Sequence, residues 1–322
     1  MGILDFEKPI YELESKIEEL RNFGDEKNIS IEPEIKKLQE KLEKMKAQIY
    51  KSLTTWQRVQ IARHPDRPFT LDYIRLMTTD FVEIHGDRLF SDDLALIAGF
   101  AKLNGQKIAI MGHQKGRDTT ENLKRNFGCA HPEGYRKAIR VMELAAKFNI
   151  PVVALIDTPG AYPGIGAEER GQAQAIAENL KDMSRLPTPI VAVIIGEGGS
   201  GGAIGIGVAD RVLILEHAYY SVISPEGCAS ILWRNAIKAP QAAEALKITG
   251  EHLLEFGIVD EVIPEPIGGA HRDVVFIAEK LKIALGNHIK ELSKLSKKEL
   301  LDGRYDKYRK IGKFQTKKTN GQ

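Results

Sequence analysis

Hydrophobic positions in the first fifty residues fall at helical spacing inside an otherwise charged stretch. Ile10, Leu13, Ile17 and Leu20 form one short stripe, which Asn22-Phe23-Gly24-Asp25 breaks. A second stripe, Ile31, Ile35, Leu38, Leu42, Met45 and Ile49, alternates steps of four and three. That is an a/d seam of about three heptads, and Pro33 suits the first turn of its helix. Residues 1–55 therefore read as an N-terminal helical arm. It is either a hairpin laid on its own domain or a docking arm for another subunit.

Beyond the link ARHPDRP (62–68) the pattern changes period. Thr70 predicts a capped helix through about Phe81. Apolar runs at Leu94–Leu103, Lys107–Gly112, Val152–Ile156, Ile190–Ile195 and Arg211–Leu215 read as strands, with Asn104-Gly105 as a hairpin turn. Helical stretches occupy Pro132–Phe148 and Ala167–Met183, and a last helix covers about Asp273–Ser293. Strand, glycine turn and helix in succession indicate an α/β domain over residues 56–296. Residues 297–322 read as a basic tail. The seven Lys or Arg from Arg304 to Lys318 point to a solvated or frayed segment.

Composition narrows the classes. The 322 residues are 43% apolar, and 46 basic against 44 acidic side chains leave a net charge of +2. That balance gives no case for nucleic acid as the main partner. Cys129 and Cys228 are the only cysteines, so neither a disulfide framework nor a four-cysteine zinc site is expected, and no metal is assigned to this chain. No basic region followed by an apolar stretch opens the chain, and no apolar run approaches the roughly 18–20 residues of a membrane span. A soluble, cytoplasmic protein with no membrane partner is expected.

Candidate chemistry lies in two glycine-rich stretches. IDTPGAYPGIGAEERGQ (156–172) resembles a GTPase switch, but no G-x-x-x-x-G-K-[ST] loop precedes it to hold phosphates. IGEGGSGGAIGIGVAD (195–210) has seven glycines in sixteen residues. Gly196, Gly198 and Gly201 fit a dinucleotide fingerprint, with Glu216 as the ribose acid of an NAD(P)-binding oxidoreductase. The distance to the next strand is short for a crossover helix. Gly198-x-Ser200-x-Gly202 fits the nucleophile elbow of a serine hydrolase, whose partners would come from Asp210 or Asp260 with His217, His252 or His271. Nothing in their spacing selects a pair. The remaining reading uses the glycines themselves. A turn without β-carbons at a helix start lets a carbonyl lie against free N–H groups, which is an oxyanion hole. The Asp157–Gly166 turn offers more such amides, and the two turns side by side would frame one pocket.

These stretches, with ARHPDRPFTLDYIR (62–75), MGHQKGR (111–117), KRNFG (124–128), PEGYRKA (132–138), YSVISPEGCASILWR (220–234) and IPEPIGGAHR (263–272), resemble the bacterial acetyl-coenzyme A carboxylase carboxyltransferase alpha subunits. The resemblance covers nearly the whole chain. It implies a crotonase-like (ClpP/crotonase) α/β fold, a spiral of ββα units behind the helical arm. It also implies transfer of a carboxyl group from carboxybiotin, on a biotin carboxyl carrier protein, to acetyl-coenzyme A, giving malonyl-coenzyme A for fatty-acid synthesis. The implied partner is a zinc-ribbon beta subunit in an alpha-two-beta-two assembly. The family motif places the biotin oxyanion amides on Gly201 and Gly202. Gly160 and Ala161, with Gly199 and Ser200, are expected to bind substrate beside them. Lys115, Arg117, Lys124 and Arg125 are either coenzyme A phosphate ligands or solvated and intersubunit charges. Cys228 reads as a packing residue.

Overall fold

The computed structural model describes residues 2–27 and 31–312. Helices α1 (Lys8–Lys27) and α2 (Glu32–Lys51) form the arm. Ile10, Leu13, Ile17 and Leu42 are buried between them, with Ile35, Leu38, Met45 and Ile49 half-buried around them. The pairs Glu7–Tyr50 and Glu14–Lys46 run in opposite chain order, so the hairpin is antiparallel. Its base is fastened to the body. His64 Nε2 lies 2.9 Å from the Gly2 carbonyl, and the Arg272 guanidinium sits 4.8 Å over the Tyr11 ring.

Helices α3 (Thr55–Ala62) and α4 (Thr70–Met77) lead into the sheet. Among the described residues the sheet has eight strands: β1 (Thr78–Glu83), β2 (Leu96–Leu103), β3 (Gln106–His113), β4 (Val152–Thr158), β5 (Ile190–Gly199), β6 (Arg211–Leu215), β7 (Tyr219–Ser221) and β8 (Glu261–Ile263). Their order is β1-β2-β3-β4-β5-β6-β8, with β7 paired to the end of β5. β1, β2 and β3 are antiparallel neighbours, and every later pairing is parallel. The hairpin turn at Asn104-Gly105 has both residues at positive φ, +51° and +81°, as a two-residue turn between twisted strands requires. β4 and β5 are buried along their whole length, which explains their unbroken apolar runs.

Helices α5 (Thr119–Lys124), α6 (Pro132–Lys147), α7 (Ile165–Glu169), α8 (Gln172–Arg185) and α9 (Ser200–Ile204) fill the connections between strands. α10 (Pro225–Trp233), α11 (Ala239–Leu246), α12 (Gly250–Glu255), α13 (Val274–Leu292) and α14 (Lys297–Lys310) complete the fold. α6 packs with α8 and against β2 and β3, and α13 packs with α4 and against β5 and β8. The succession of strand, turn and helix agrees with the expected crotonase-like order.

Four elements differ from the sequence reading. Helix α1 runs on to Lys27 through residues 22–25, which the pattern reads as a break. The helix expected through Phe81 stops at Met77, because Thr78–Glu83 pairs with β2 as an edge strand. Its cap is the Asp72 carboxylate on the Phe69 N–H at 2.9 Å, while the Thr70 hydroxyl donates to the His113 carbonyl at 2.6 Å. The helix expected over Ala167–Met183 is split in two by Gly171, whose φ of +81° no helix interior allows. Residues 297–310 of the supposed tail form α14, which is fastened by a buried arginine rather than frayed. Residues 313–322 lie outside the described part.

Candidate active site

Parallel pairing puts the ends of β4 and β5 side by side, so the two glycine turns meet as the sequence suggested. Their contact is through backbone. A β-carbon on Gly202 would lie 2.5 Å from the Gly160 carbonyl carbon and 2.7 Å from the Ala161 nitrogen. Gly202 is glycine because the other turn occupies the place of a side chain. Gly201 is open by comparison, where a β-carbon would meet only Ile176 Cδ1 at 3.5 Å. Ser200 between the turns has φ +50°, the left-handed region that few non-glycine residues adopt.

The expected single pocket is two. A cavity of about 360 Å³ is lined by Ser200, Gly201, Ile204, Tyr220, Leu253, Ile258, Tyr308 and Ile311, among others. A smaller one of about 280 Å³ lies on the Pro159 side, lined by Arg63, Lys115, Phe127 and Glu197. Gly160 and Ala161 back Gly202, and none of Gly160, Ala161, Gly199 and Gly202 borders either cavity, whereas Ser200 and Gly201 line the larger one. The Gly160 N–H donates to Thr158 Oγ1 at 3.1 Å, and that hydroxyl donates to the Gly160 carbonyl at 2.7 Å. The Gly160 amide is therefore already paired. Gly201 and Gly202 lie in the first turn of α9, whose amides have no intrahelical acceptor.

Behind the turns lies a charge cluster that pattern reading missed. Lys115 Nζ donates to Asp157 Oδ1 at 2.7 Å and to Glu197 Oε1 at 2.9 Å. Arg63, delivered by the end of α3, donates to Glu197 at 2.7 Å and to Glu226, in the first turn of α10, at 2.5 Å. The Tyr219 hydroxyl donates to Glu197 at 2.7 Å. Burial would push the Glu197 carboxyl up, but Lys115 and Arg63 outweigh it and hold the group at about 2. The stabilisation this gives is present above the ordinary carboxylate range and is lost as pH falls toward about 2. Burial and the Lys115 charge push the neighbouring His113 down to about 3, so its ring is neutral. The sequence signal was available in principle: Asp157 and Glu197 interrupt two otherwise apolar strands.

The geometry accounts for three of the four cationic candidates, while Lys124 is exposed at the end of α5. Lys115 is neither a solvated charge nor a free phosphate ligand, because two buried carboxylates hold it. Arg117 donates to the Pro65 and Arg67 carbonyls and to Asp72, and lies over the Phe69 ring. Arg125 is tied to Glu121 and to the Leu94 carbonyl. Cys228 packs with Ala229 and Ala242, a packing role as expected.

Neither alternative chemistry is assembled. For a serine triad, Asp210 is taken by Arg304 and Asp260 by Lys307. His252 bonds Thr249, His271 stacks on His64 at 3.9 Å, and His217 lies beside Glu265. For a dinucleotide, α9 is only five residues long and the Glu216 carboxylate accepts the Glu265 N–H.

Among solved structures, transcarboxylase 12S with methylmalonyl-coenzyme A bound superposes with a TM-score of 0.57 at 19% identity, over 81% of this chain and 46% of that one. A Pseudomonas malonate decarboxylase hetero-tetramer in complex with coenzyme A gives 0.53 at 16% identity, over 66% and 85%. This chain thus spans less than half of the transcarboxylase chain. The sheet and its helices define the crotonase-like fold, shared with a transcarboxylase and a malonate decarboxylase. The family described as acetyl co-enzyme A carboxylase carboxyltransferase-like matches residues 3–312. The acetyl-coenzyme A carboxylase carboxyl transferase subunit alpha of Geobacter metallireducens is 57% identical over 311 residues, covering 97% of this chain and 98% of that protein. Its counterpart in Halalkalibacterium halodurans is 56% identical over 311 residues, covering 97% and 96%. The chain belongs to the family of acetyl-coenzyme A carboxylase carboxyltransferase alpha subunits.

Proposed function

We infer that this chain carries the carboxybiotin side of the transfer that converts acetyl-coenzyme A to malonyl-coenzyme A for fatty-acid synthesis. The observation that supports it most directly is Gly201, an open backbone position at the head of an apolar cavity with no assembled nucleophile or base beside it. The residues present fit a ureido group: the Gly201 amide, open to the cavity, would face its oxygen with the Gly202 amide behind it. Ser200 forms the lip of the turn, and buried Gly199 packs against the Pro159 carbonyl. Carboxybiotin, brought by a carrier protein, supplies the carboxyl group and a urea nitrogen able to take a proton. The chain's part is electrostatic. First-turn amides aimed at a developing negative charge favour the charged state and need no reorganisation. The Gly160–Ala161 backbone behind Gly202 fixes where those amides stand. The apolar walls keep water from competing for them.

This reading makes the chain half of an active site. A zinc-ribbon beta subunit would supply the thioester half, in an alpha-two-beta-two assembly working in the cytoplasm. Among the described residues no helix is long and apolar enough to cross a membrane. The purified chain alone is expected to show negligible carboxyl transfer, and adding the beta-type subunit should restore it. Affinity purification of the chain from its own cells, with zinc analysis of what accompanies it, identifies that subunit. Full turnover by the isolated chain, with contaminants excluded by mass spectrometry, would sink the half-site reading.

A further inference from the structure

The ladder between β4 and β5 is interrupted just before the turns. Ile156 pairs with Ile194 and Thr158 with Gly198, so a two-residue step along β4 meets a four-residue step along β5. Regular sheet hydrogen bonds are therefore missing over this one step, before the ladder resumes at Thr158 and Gly198. Side chains replace them. Asp157 lies in the break, and its Oδ1 accepts the Glu197 N–H at 2.9 Å together with Lys115 Nζ at 2.7 Å. Glu197 Oε1 takes a second Lys115 proton at 2.9 Å. The three side chains are 13%, 2% and 9% exposed, so the bridge is little screened by solvent. The lysine stem is itself confined, since a β-carbon on Gly128 would lie 2.9 Å from Lys115 Cγ.

We propose that Lys115 is a positioning residue for carboxyl transfer, its ammonium fixing the spacing of the two glycine turns by bridging the carboxylate that precedes each. The bridge is the junction of several motif stretches. Lys115 comes from MGHQKGR, Asp157 from IDTPG and Glu197 from IGEGG, and Arg63 and Glu226 complete the outer side. Without the ammonium, Asp157 and Glu197 are two adjacent buried carboxylates that repel each other. The turn ends separate or one carboxylate takes a proton. In the first case Gly202 loses its seat on the Gly160–Ala161 backbone and the amides beside it move; in the second a shared proton takes over part of the bridge. The proposal rests on the carboxyl-transfer reading, which the wild-type complex tests separately.

The experiment uses the complex reconstituted with the beta-type subunit, assayed with carboxybiotin and acetyl-coenzyme A. Lys115→Met is expected to lower kcat about thirtyfold, less than the roughly hundredfold that follows a full 1 Å misplacement. KM for both substrates should stay within about threefold, because the lysine acts through the turns. A pH profile adds a signature that lost stability alone would not give. Around Glu197 the remaining groups are Arg63, Tyr219 and Asp157, with His113 and the Cys129 thiol neutral nearby. Once Lys115 is gone the Glu197 pKa rises, and its protonation relieves the repulsion with Asp157. The kcat of the variant should therefore recover in part as the solution is made acidic, where wild type is flat. Glu197→Gln, which is isosteric and removes half of the bridge, should lower kcat without that recovery in acid. Lys115→Arg should recover part of the rate. Wild-type kcat and a flat profile in an assembled Lys115→Met complex overturn the proposal. If Lys115→Met does not assemble, wild-type kcat in Glu197→Gln overturns it. An inactive wild-type complex would overturn the carboxyl-transfer reading instead.

Discussion

Arg304→Ala is expected to destabilise the protein by roughly 3–5 kcal/mol, the cost of leaving a buried charge without its partner. The guanidinium and the Asp210 carboxylate are 1% and 3% exposed and meet through two hydrogen bonds of 2.8 Å. The arginine's other protons go to the Met183, Leu186 and Thr188 carbonyls at 2.6–2.9 Å, where α8 ends and the link to β5 begins. Asp210 Oδ2 in turn accepts the Ile190 N–H at 2.7 Å, the first residue of β5. Removing the side chain therefore orphans a carboxylate and three carbonyls together. The melting temperature should fall by roughly 10 °C, since 1 kcal/mol is worth a few degrees in a domain of this size. Arg304→Lys restores the charge without the planar fork and should fall between the two. A melting temperature within about 2 °C of wild type would show that the pair contributes little net stability, as some buried ion pairs do. Truncation after Ser296 should cost more stability than the alanine variant, because it also removes buried Leu300 and the Lys307–Asp260 pair. It should lose activity as well, because Tyr308 and Ile311 form one wall of the larger cavity.

The same residue shows where sequence reading stops. Seven basic residues from Arg304 to Lys318 look like one solvated run, and charge counting cannot tell which of them has a buried partner. Asp210 is ninety-four positions away and belongs to the glycine stretch, so only the fold brings the two together. Lys115 was hidden in the same way, inside a cluster of cations whose partners lie on other strands. Continuous burial was legible. β4, β5 and β6 are found where their apolar runs lie, though β5 continues through Gly199 into the glycines. β7 and β8 are three residues each, too short for periodicity to mark. In the candidate site, the adjacency of two glycine turns could be read from strand order. Which glycine is packed against backbone and which stands open could not, because that depends on the approach of Gly160.

That difference decides how the transition-state contact is to be tested. A side chain on Gly202 would drive its β-carbon into the Gly160–Ala161 backbone at 2.5–2.8 Å, so Gly202→Ala should separate the turns and lose stability along with activity. Overpacking of this kind costs about 1–3 kcal/mol, and a loss of rate there would not identify an oxyanion site. Gly201 offers the cleaner test. Its backbone lies outside the left-handed region, and the nearest atom to an added β-carbon is Ile176 Cδ1 at 3.5 Å, an ordinary contact. Gly201→Val therefore keeps the N–H and leaves the turn intact, while its branches fill open space where a ureido group would approach the amides. kcat is expected to fall at least 10²-fold, comparable with the roughly 2.7–4 kcal/mol lost with one oxyanion donor. Gly201→Ala, with less bulk, should give a smaller loss in the same direction. Thermal melting and association with the beta-type subunit should match wild type for both. If Gly201→Val assembles normally and transfers carboxyl groups at near wild-type rate, the amides of this turn do not meet the reacting group, and the glycines serve only the close packing of β4 on β5.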